Sequence, residues 1–174
     1  PGLTDQGVSE AENTGEKLKE QGFNFDVMFT SELKRAQNTG EIILEKLNEP
    51  NLTIIKSVNL NERDYGDLTG MNKDEARAEF GEEQVHIWRR SYDVPPPGGE
   101  SLKDTYDRVI PYFESDIMPE INDSKNVLIA AHGNSLRSLV KFIEDLNETD
   151  ILKLEIATGE PIIYKFIDGR FTRA

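Results

Sequence analysis

Three groups of residues in the sequence, two of them continuous stretches, combine residue types that could act on an anionic substrate. The first is His132-Gly133-Asn134-Ser135, which directly follows an apolar run at 127–131. A histidine at the end of a buried strand, before a small-residue turn into a helix, lies beside unpaired N–H groups and a positive helix dipole. His132 could bond a phosphoryl oxygen as a cation, transfer a proton or attack phosphorus. It could equally cap the strand and donate to a nearby carbonyl, so this pattern alone leaves both interpretations open.

The second stretch is the polar sequence Asn61-Glu62-Arg63-Asp64-Tyr65-Gly66, which lacks helical periodicity. Loops held by a rigid scaffold commonly carry chemistry. Glu62 could act there as a general acid or base, and Arg63 and Tyr65 could bond a substrate carboxylate or phosphate. Taken by itself, the stretch fits a solvated charged loop better.

The third group is a set of cations at separate places in the chain: Lys34, Arg35, Lys73, Arg89 and Arg90. The planar fork of arginine pairs with phosphate through two hydrogen bonds. Adjacent helical residues point about 100° apart, so Arg89 and Arg90 can face one ligand only near a helix end or in a loop. Each of these cations alone fits surface salt bridging better. His86 lies among apolar neighbours, and we assign it to packing.

Composition narrows the classes of protein that could use these residues. The chain has 174 residues, with 20 Lys and Arg against 33 Asp and Glu, and a net charge of −13. Such a charge repels polyanions, and no apolar run approaches the ~20 residues that span a bilayer, so we expect neither a nucleic-acid-binding nor a membrane protein. An anionic ligand therefore needs a local cluster of cations. With no cysteine and two histidines, thiolate chemistry is absent and a metal site is poorly supported.

Helix and strand signals alternate along the chain, without repeats or a linker. Apolar spacing predicts helices capped by Thr4 and ending before Gly22, over 33–47, from Asn72 with a capping box to Glu75, and over 136–143. A further helix is predicted from Ser101 to near Pro119, with a kink or a break at Pro111. Strands are predicted over 26–30, 52–55, 127–131 and 161–166, the last followed by a turn at Asp168-Gly169. The run at 127–131 is typical of a strand covered on both faces. This alternation predicts one α/β domain with a largely parallel sheet.

Four ordered strings carry a resemblance to a known family. They are Leu60 to Gly66, Trp88 to Pro97, Gly99 to Thr105 and Ala130 to Arg137. Together they closely resemble the 2,3-bisphosphoglycerate-dependent phosphoglycerate mutases of the histidine phosphatase superfamily. The similarity runs from Pro1 to about Phe166, and the short loop after Pro97 is similar to that of the shorter bacterial members.

The resemblance implies a three-layer α/β/α fold with a mostly parallel sheet, spanning residues 1–174 as a single domain. It implies interconversion of 3-phosphoglycerate and 2-phosphoglycerate through a phosphohistidine, with 2,3-bisphosphoglycerate as priming cofactor and no metal. Glu62 would then exchange the proton of the substrate hydroxyl, and His132 would steady the phosphoryl group in transfer. The residues implied to bind substrate phosphate and carboxylate are Arg35, Arg63, Tyr65, Lys73, Arg89, Arg90, Gly133 and Asn134.

The same resemblance implies that the partners are small phosphorylated three-carbon acids and that the protein is cytoplasmic. Family members differ in oligomeric state, so homo-oligomerisation stays open. A histidine-type phosphatase acting on phosphomonoesters and a catalytically silent phosphate-binding domain are the alternatives.

Two departures from the family pattern shape these expectations. Asp64 stands where many relatives have histidine, a change that the shorter bacterial members tolerate. The nucleophilic histidine of the family belongs to an Arg-His-Gly motif on the first strand, and residues 1–174 contain no such motif. We therefore expect an N-terminally truncated member that lacks its first strand and is, by itself, inactive and poorly stable.

Overall fold

The computed structural model describes residues 2–174, which form two compact units assembled from separate segments. The sheet unit contains residues 2–61, Tyr112–His132 and Glu155–Ala174, and the helical unit contains Glu62–Pro111 and Gly133–Leu154. The α-helices are α1 (Asp5–Glu20), α2 (Lys34–Lys46), α3 (Lys73–Phe80), α4 (Glu82–Arg90), α5 (Leu102–Tyr112), α6 (Met118–Asn122), α7 (Gly133–Glu144) and α8 (Glu148–Lys153). The strands are β1 (Val27–Thr30), β2 (Thr53–Lys56), β3 (Val127–Ala130), β4 (Tyr164–Ile167) and β5 (Arg170–Arg173).

A parallel three-stranded sheet lies in the sheet unit in the order β2-β1-β3, which confirms the predicted α/β class. Successive side chains of β1 point to opposite faces. Met28 is buried with Leu44 of α2 on one face, and Phe29 meets the Tyr112 ring edge-on at 6.4 Å on the other. The sheet is therefore covered on both sides, in three layers within this unit. A side chain at Gly40 of α2 would collide with Met28, so glycine lets the helix approach the sheet closely.

Strand β3 is the edge of this sheet among the described residues. Val127, Leu128 and Ile129 are half-buried, whereas Ala130 is buried. The expectation of a strand covered on both faces is therefore not met along the whole of β3.

The predicted helix starts are confirmed at the level of single hydrogen bonds. The hydroxyl of Thr4 accepts the N–H of Gly7 at 3.0 Å at the start of α1. The Asn72 side chain accepts the Glu75 N–H at 2.8 Å and donates to the Glu75 carboxylate at 3.0 Å, which completes a side-chain cap on α3. These bonds satisfy N–H groups that a helix leaves unpaired at its start.

No break occurs at Pro111, which lies inside α5, and the helical pattern changes two residues later. Because proline has no N–H, it removes one bond of the helical ladder. The α-helical pattern of α5 ends at Tyr112, a π-helical turn follows over Phe113–Ile117, and α6 then runs to Asn122. The helix ends at Asn122, three residues beyond the expected end near Pro119, and Pro119 lies in the first turn of α6, directly after the π-helical turn.

The last strand was predicted too early, and its partner was not predicted. Strand β4 begins at Tyr164 rather than Pro161 and pairs antiparallel with β5. Asp168 and Gly169 form the two-residue turn, with φ of 53° and 78°. Both residues have positive φ, as the tight hairpin turn requires. Strand β5 has one apolar residue that packs, Phe171, so periodicity does not reveal it.

The core of the helical unit joins α3 to α4. Leu68, Ala76, Val85 and Trp88 are buried together, and Phe80 meets Trp88 edge-on at 5.2 Å. This packing fixes the two helices against each other and leaves their charged residues at the surface. No helix within residues 2–174 combines the length and the hydropathy needed to cross a membrane.

Candidate active site

The Glu62 carboxylate lies at the start of α7 in the helical unit. Its Oε1 accepts the N–H of Arg63 at 2.9 Å and the N–H of Asn134 at 3.1 Å. A Cβ at Gly133 would lie 3.9 Å from Oε2. The N–H of Asn134, which the sequence analysis expected to be available to an anionic ligand, therefore bonds the Glu62 side chain instead. Two backbone donors thus hold Oε1 and fix the direction of the carboxylate.

Asn134 connects three parts of the helical unit. It is buried, and its side-chain amide donates to the Tyr65 hydroxyl at 3.0 Å. Its side-chain oxygen accepts from Arg137 at 3.3 Å, and the Arg137 guanidinium also donates to the Ile151 carbonyl at 2.6 Å. Arg137 was not among the expected site residues. These bonds fix the orientation of the Asn134 amide and of the Tyr65 hydroxyl.

Arg63 is buried, in contrast to a solvated loop residue. Its Nε donates to the Glu100 carbonyl at 2.7 Å, and its Nη2 donates to the Trp88 carbonyl at 3.0 Å. The guanidinium lies over the Tyr65 ring, 4.9 Å from the centroid. Burial lowers the pKa of Arg63 from its ordinary value, although the nearby acids oppose this shift. Much of this side chain is thus used to hold the loop against the end of α4.

Glu100 and Arg108 form an ion pair that the sequence did not reveal. The Nε of Arg108 donates to Glu100 Oε2 at 2.8 Å, and its Nη2 donates to Oε1 at 2.9 Å. Burial alone would raise the pKa of Glu100, but the hydrogen bonds from Arg108 and from the Asp64 N–H outweigh it, so the pKa lies below its ordinary value. The pair is therefore charged at neutral pH and lies beneath the loop that carries Glu62.

Cations from α3 and α4 line one open depression of about 490 Å³. Its charged lining consists of Lys73, Arg77, Arg89 and Arg90, with Glu82 and Glu83, and His86 also lines it. Arg89 and Arg90 are the last two residues of α4, which confirms that they lie at a helix end. The assignment of His86 to packing is wrong: it is exposed, because Val85 and Trp88 form the buried face of α4 and His86 points away from it.

The remaining candidates belong to the sheet unit. His132 is buried two residues after the end of β3, and its Nε2 lies 2.8 Å from the hydroxyl oxygen of Ser31. Ser31 is fully buried, and its hydroxyl oxygen also accepts the N–H of Leu33. Arg35 is exposed on the first turn of α2. Ser31 is the residue that sequence reasoning missed here, although it follows a predicted strand, at the position where ligands meet parallel sheets.

The structure thus gathers most of the expected residues into two groups within the helical unit. Glu62, Arg63, Tyr65 and Asn134 form one hydrogen-bonded cluster, with Gly133 beside the Glu62 carboxylate. Lys73, Arg89 and Arg90 share the depression. The bond from Arg63 to the Trp88 carbonyl ties the cluster to the residue before Arg89. Across residues 2–174, no three His, Cys, Asp or Glu side chains converge as metal ligands would.

Comparison with known proteins gives the class of protein that carries this site. The sequence profile of the histidine phosphatase superfamily (branch 1) matches residues 1–173, so the chain belongs to that superfamily. Within it, the chain groups with the phosphoglycerate mutases. It is 61% identical to the 2,3-bisphosphoglycerate-dependent phosphoglycerate mutase of Bradyrhizobium sp. (strain ORS 278), over 95% of this chain and 80% of that protein.

Relatives of similar identity extend beyond bacteria. The phosphoglycerate mutase of Schizosaccharomyces pombe is 57% identical over 98% of this chain and 82% of its own length. The similarity to short bacterial members is confirmed, and it includes a yeast protein as well.

Solved structures support the fold. Bacillus stearothermophilus YhfR matches with a TM-score of 0.83 at 24% identity, covering 99% of this chain and 82% of that one. The alpha-ribazole phosphatase of Shigella flexneri matches with a TM-score of 0.81 at 21% identity, with coverage of 99% and 82%. At these identities the match establishes the fold alone.

Proposed function

We propose that the protein is an isomerase that interconverts 3-phosphoglycerate and 2-phosphoglycerate through a phosphohistidine, in glycolysis and gluconeogenesis in the cytoplasm. The observation that carries this proposal is the 61% identity, over 95% of this chain, to a relative that bears the mutase name. The reaction moves a phosphoryl group between two hydroxyls of one small acid. It therefore needs a group that exchanges protons with those hydroxyls and cations that hold the anionic substrate.

Glu62 is the group proposed to exchange protons. It takes the proton from the substrate hydroxyl that attacks the phosphohistidine, and it returns a proton to the oxygen that leaves phosphorus. Two backbone N–H groups hold Oε1, which presents Oε2 in a fixed direction. A positioned carboxylate of this kind contributes about 10²- to 10⁴-fold to the rate of proton transfer.

Lys73, Arg89 and Arg90 are proposed to bind the substrate phosphate and carboxylate. They share one depression, so a ligand with two anionic groups can contact more than one of them. Arg35, Tyr65, Gly133 and Asn134 are further proposed contacts, and Arg63 contributes by holding Tyr65 and the loop in place. A phosphoryl group in transfer carries spread negative charge, so catalysis depends mainly on positioning and on fixed positive charge.

The cationic depression fits the priming cofactor proposed for this reaction. 2,3-Bisphosphoglycerate carries two phosphates and a carboxylate, and the fixed charges of Lys73, Arg77, Arg89 and Arg90 outnumber those of Glu82 and Glu83 there. When bound, the cofactor supplies the phosphoryl group that charges the histidine. We propose that no metal takes part, because arginine, lysine and histidine supply the positive field.

His132 is proposed to steady the phosphoryl group during transfer. Its Nε2 lies 2.8 Å from the Ser31 hydroxyl, which can fix the orientation of the imidazole ring. The nucleophilic histidine of the resemblance belongs to an Arg-His-Gly motif, and neither His86 nor His132 lies in one. We therefore assign the attacking role to neither of them.

Phosphorus NMR of the complete gene product tests this proposal against the phosphatase alternative. The protein is incubated with 3-phosphoglycerate and a trace of 2,3-bisphosphoglycerate, and the products are followed in one spectrum. We expect the signal of 2-phosphoglycerate to grow without a matching rise in inorganic phosphate. Inorganic phosphate without 2-phosphoglycerate would instead identify a phosphatase.

A further inference from the structure

We propose that Arg108 is a positioning residue that sets the place of the Glu62 carboxylate without touching substrate. The inference rests on the proposed function, because it concerns the proton exchange assigned to Glu62. It also predicts a structural effect that can be measured without any activity. All the contacts that carry it lie within the helical unit.

Arg108 and Glu100 form an ion pair with a fixed direction. Nε donates to one carboxylate oxygen at 2.8 Å and Nη2 donates to the other at 2.9 Å. Both side chains are largely buried, with 24% and 22% exposed. Paired, parallel bonds of this kind fix an arginine side chain in direction as well as in distance.

This ion pair also contacts the backbone of Glu62. The Nη2 of Arg108 also donates to the Glu62 carbonyl at 3.1 Å. One nitrogen thus bonds the Glu100 carboxylate and the Glu62 backbone together, through its two hydrogens. The position of the Glu62 carboxylate depends on the position of the Glu62 backbone. By bonding the backbone carbonyl, Arg108 therefore helps to set where the carboxylate lies.

Glu100 in turn bonds Arg63 and Asp64, the two residues that follow Glu62 in its loop. Its Oε1 accepts the N–H of Asp64 at 2.9 Å, and its backbone N–H donates to the Asp64 carbonyl at 2.6 Å. Its own carbonyl accepts from Arg63 at 2.7 Å. Arg108 therefore supports the loop at Glu62 directly and at Arg63 and Asp64 through Glu100.

Three variants of the complete gene product separate this role from general stability. Arg108→Met keeps most of the side-chain length and removes every donor. Arg108→Lys keeps the charge but lacks the planar fork, so it cannot bond Glu100 through two parallel bonds and Glu62 at once. Lys103→Met is the matched control, because Lys103 forms an exposed 2.8 Å ion pair with Asp107 on the same helix, away from the loop.

Two readouts are measured for each variant. The first is kcat and KM for 3-phosphoglycerate, with kcat expected to fall about 10- to 100-fold in Arg108→Met and less in Arg108→Lys. KM should change less than threefold or so, because Arg108 does not contact substrate. The second is amide hydrogen exchange at Arg63, Asp64 and Asn134, whose N–H groups bond Glu62 or Glu100. Exchange there should quicken in both Arg108 variants and stay unchanged in Lys103→Met.

The outcomes distinguish failure of this inference from failure of the proposed function. Unchanged exchange at these three amides in Arg108→Met would overturn the inference, whether or not the protein is a mutase. Quickened exchange with unchanged kcat would also overturn it, since the loop would then move without consequence for catalysis. If the unmodified protein had no mutase activity, the proposed function would fall, and the exchange result alone would decide whether Arg108 holds the loop. Should Arg108→Met not fold, Arg108→Lys carries the same two tests.

Discussion

Among single residues, Glu62 has a carboxylate whose direction is fixed by backbone N–H groups, as its proposed role in proton exchange requires. Its Oε1 bonds the N–H of Arg63 and that of Asn134, which come from a loop and from a helix start. The sequence identified Glu62 as a candidate only through its polar neighbours and the resemblance. It could not reveal the bond to Asn134, because the two residues are 72 positions apart in the chain.

Glu62→Gln tests the proton-exchange role. Glutamine keeps an oxygen that can accept the two backbone N–H groups but cannot exchange a proton at neutral pH. We expect kcat to fall by about 10²- to 10⁴-fold, with KM little changed. Steady-state kinetics of the complete gene product provide the measurement, and wild-type turnover in the variant would show that Glu62 is not the acid and base.

Arg89→Ala and Arg90→Ala test the binding role of the depression. Each substitution removes a guanidinium group that would donate charged hydrogen bonds to the substrate. Binding of 3-phosphoglycerate should therefore weaken by about 1.5 to 3 kcal/mol per lost bond. Titration calorimetry measures the change. Arg170→Ala is the control, because Arg170 is an exposed arginine of β5 in the sheet unit. Equal affinities in all three variants would exclude the depression as the substrate site.

At the scale of elements, the sequence was informative where the signal is local. The caps at Thr4 and Asn72 and the turn at Asp168-Gly169 each depend on a few neighbouring residues, and the structure contains all three. Strand β5 was missed because hairpin pairing can hold a strand with little apolar character. His86 was misassigned because apolar neighbours in sequence do not share its face of α4.

Gly99→Ala tests the close approach of two loops. A Cβ at Gly99 would lie 2.7 Å from both the Asp64 carbonyl oxygen and the Gly66 nitrogen, and neither backbone atom can swing aside as a side chain would. We expect a loss of about 1 to 3 kcal/mol in the free energy of unfolding, together with lower kcat because the Glu62 loop must shift. Denaturant unfolding and kinetics measure the two effects.

Gly98→Asn is the control for this close approach. Gly98 has φ of 71°, which asparagine adopts readily, and the nearest atom to its Cβ would be a side-chain oxygen at 3.5 Å. If Gly99→Ala lowered the free energy of unfolding and kcat no more than Gly98→Asn does, the close backbone contact at Gly99 would not limit stability or activity.

At the scale of the whole molecule, the chain combines a net charge of −13 with a local cluster of cations. The charge could be counted from the sequence, and the need for a local cluster follows from it. The sequence does not show which cations lie together, because Lys73 and Arg89 come from different helices. The packing of Ala76 against Val85 and Trp88 brings those helices together. The ion pair of Glu100 and Arg108 is hidden from sequence analysis for a different reason: Glu100 precedes α5, eight residues from Arg108, outside the spacing at which helical side chains meet.

The pH dependence of stability tests the state of Glu100. Because its pKa is lowered in the folded protein, Glu100 contributes stability above its ordinary pKa, and this contribution is lost as the pH falls through the folded value. The unfolding free energy of the wild type should therefore drop more steeply than that of Glu100→Gln between about pH 5 and pH 3. Denaturant melts at a series of pH values measure both curves, and parallel curves would contradict the lowered pKa.

We propose that this protein interconverts the two monophosphoglycerates and needs 2,3-bisphosphoglycerate to start the reaction. The most direct measurement is the initial rate of 2-phosphoglycerate formation from 3-phosphoglycerate by the complete gene product, coupled to enolase, with and without catalytic 2,3-bisphosphoglycerate. We predict a rate that rises with the added bisphosphate, saturates with it, and is lost in Glu62→Gln. A rate that is absent at every concentration of the bisphosphate, or that does not respond to it, would contradict the claim.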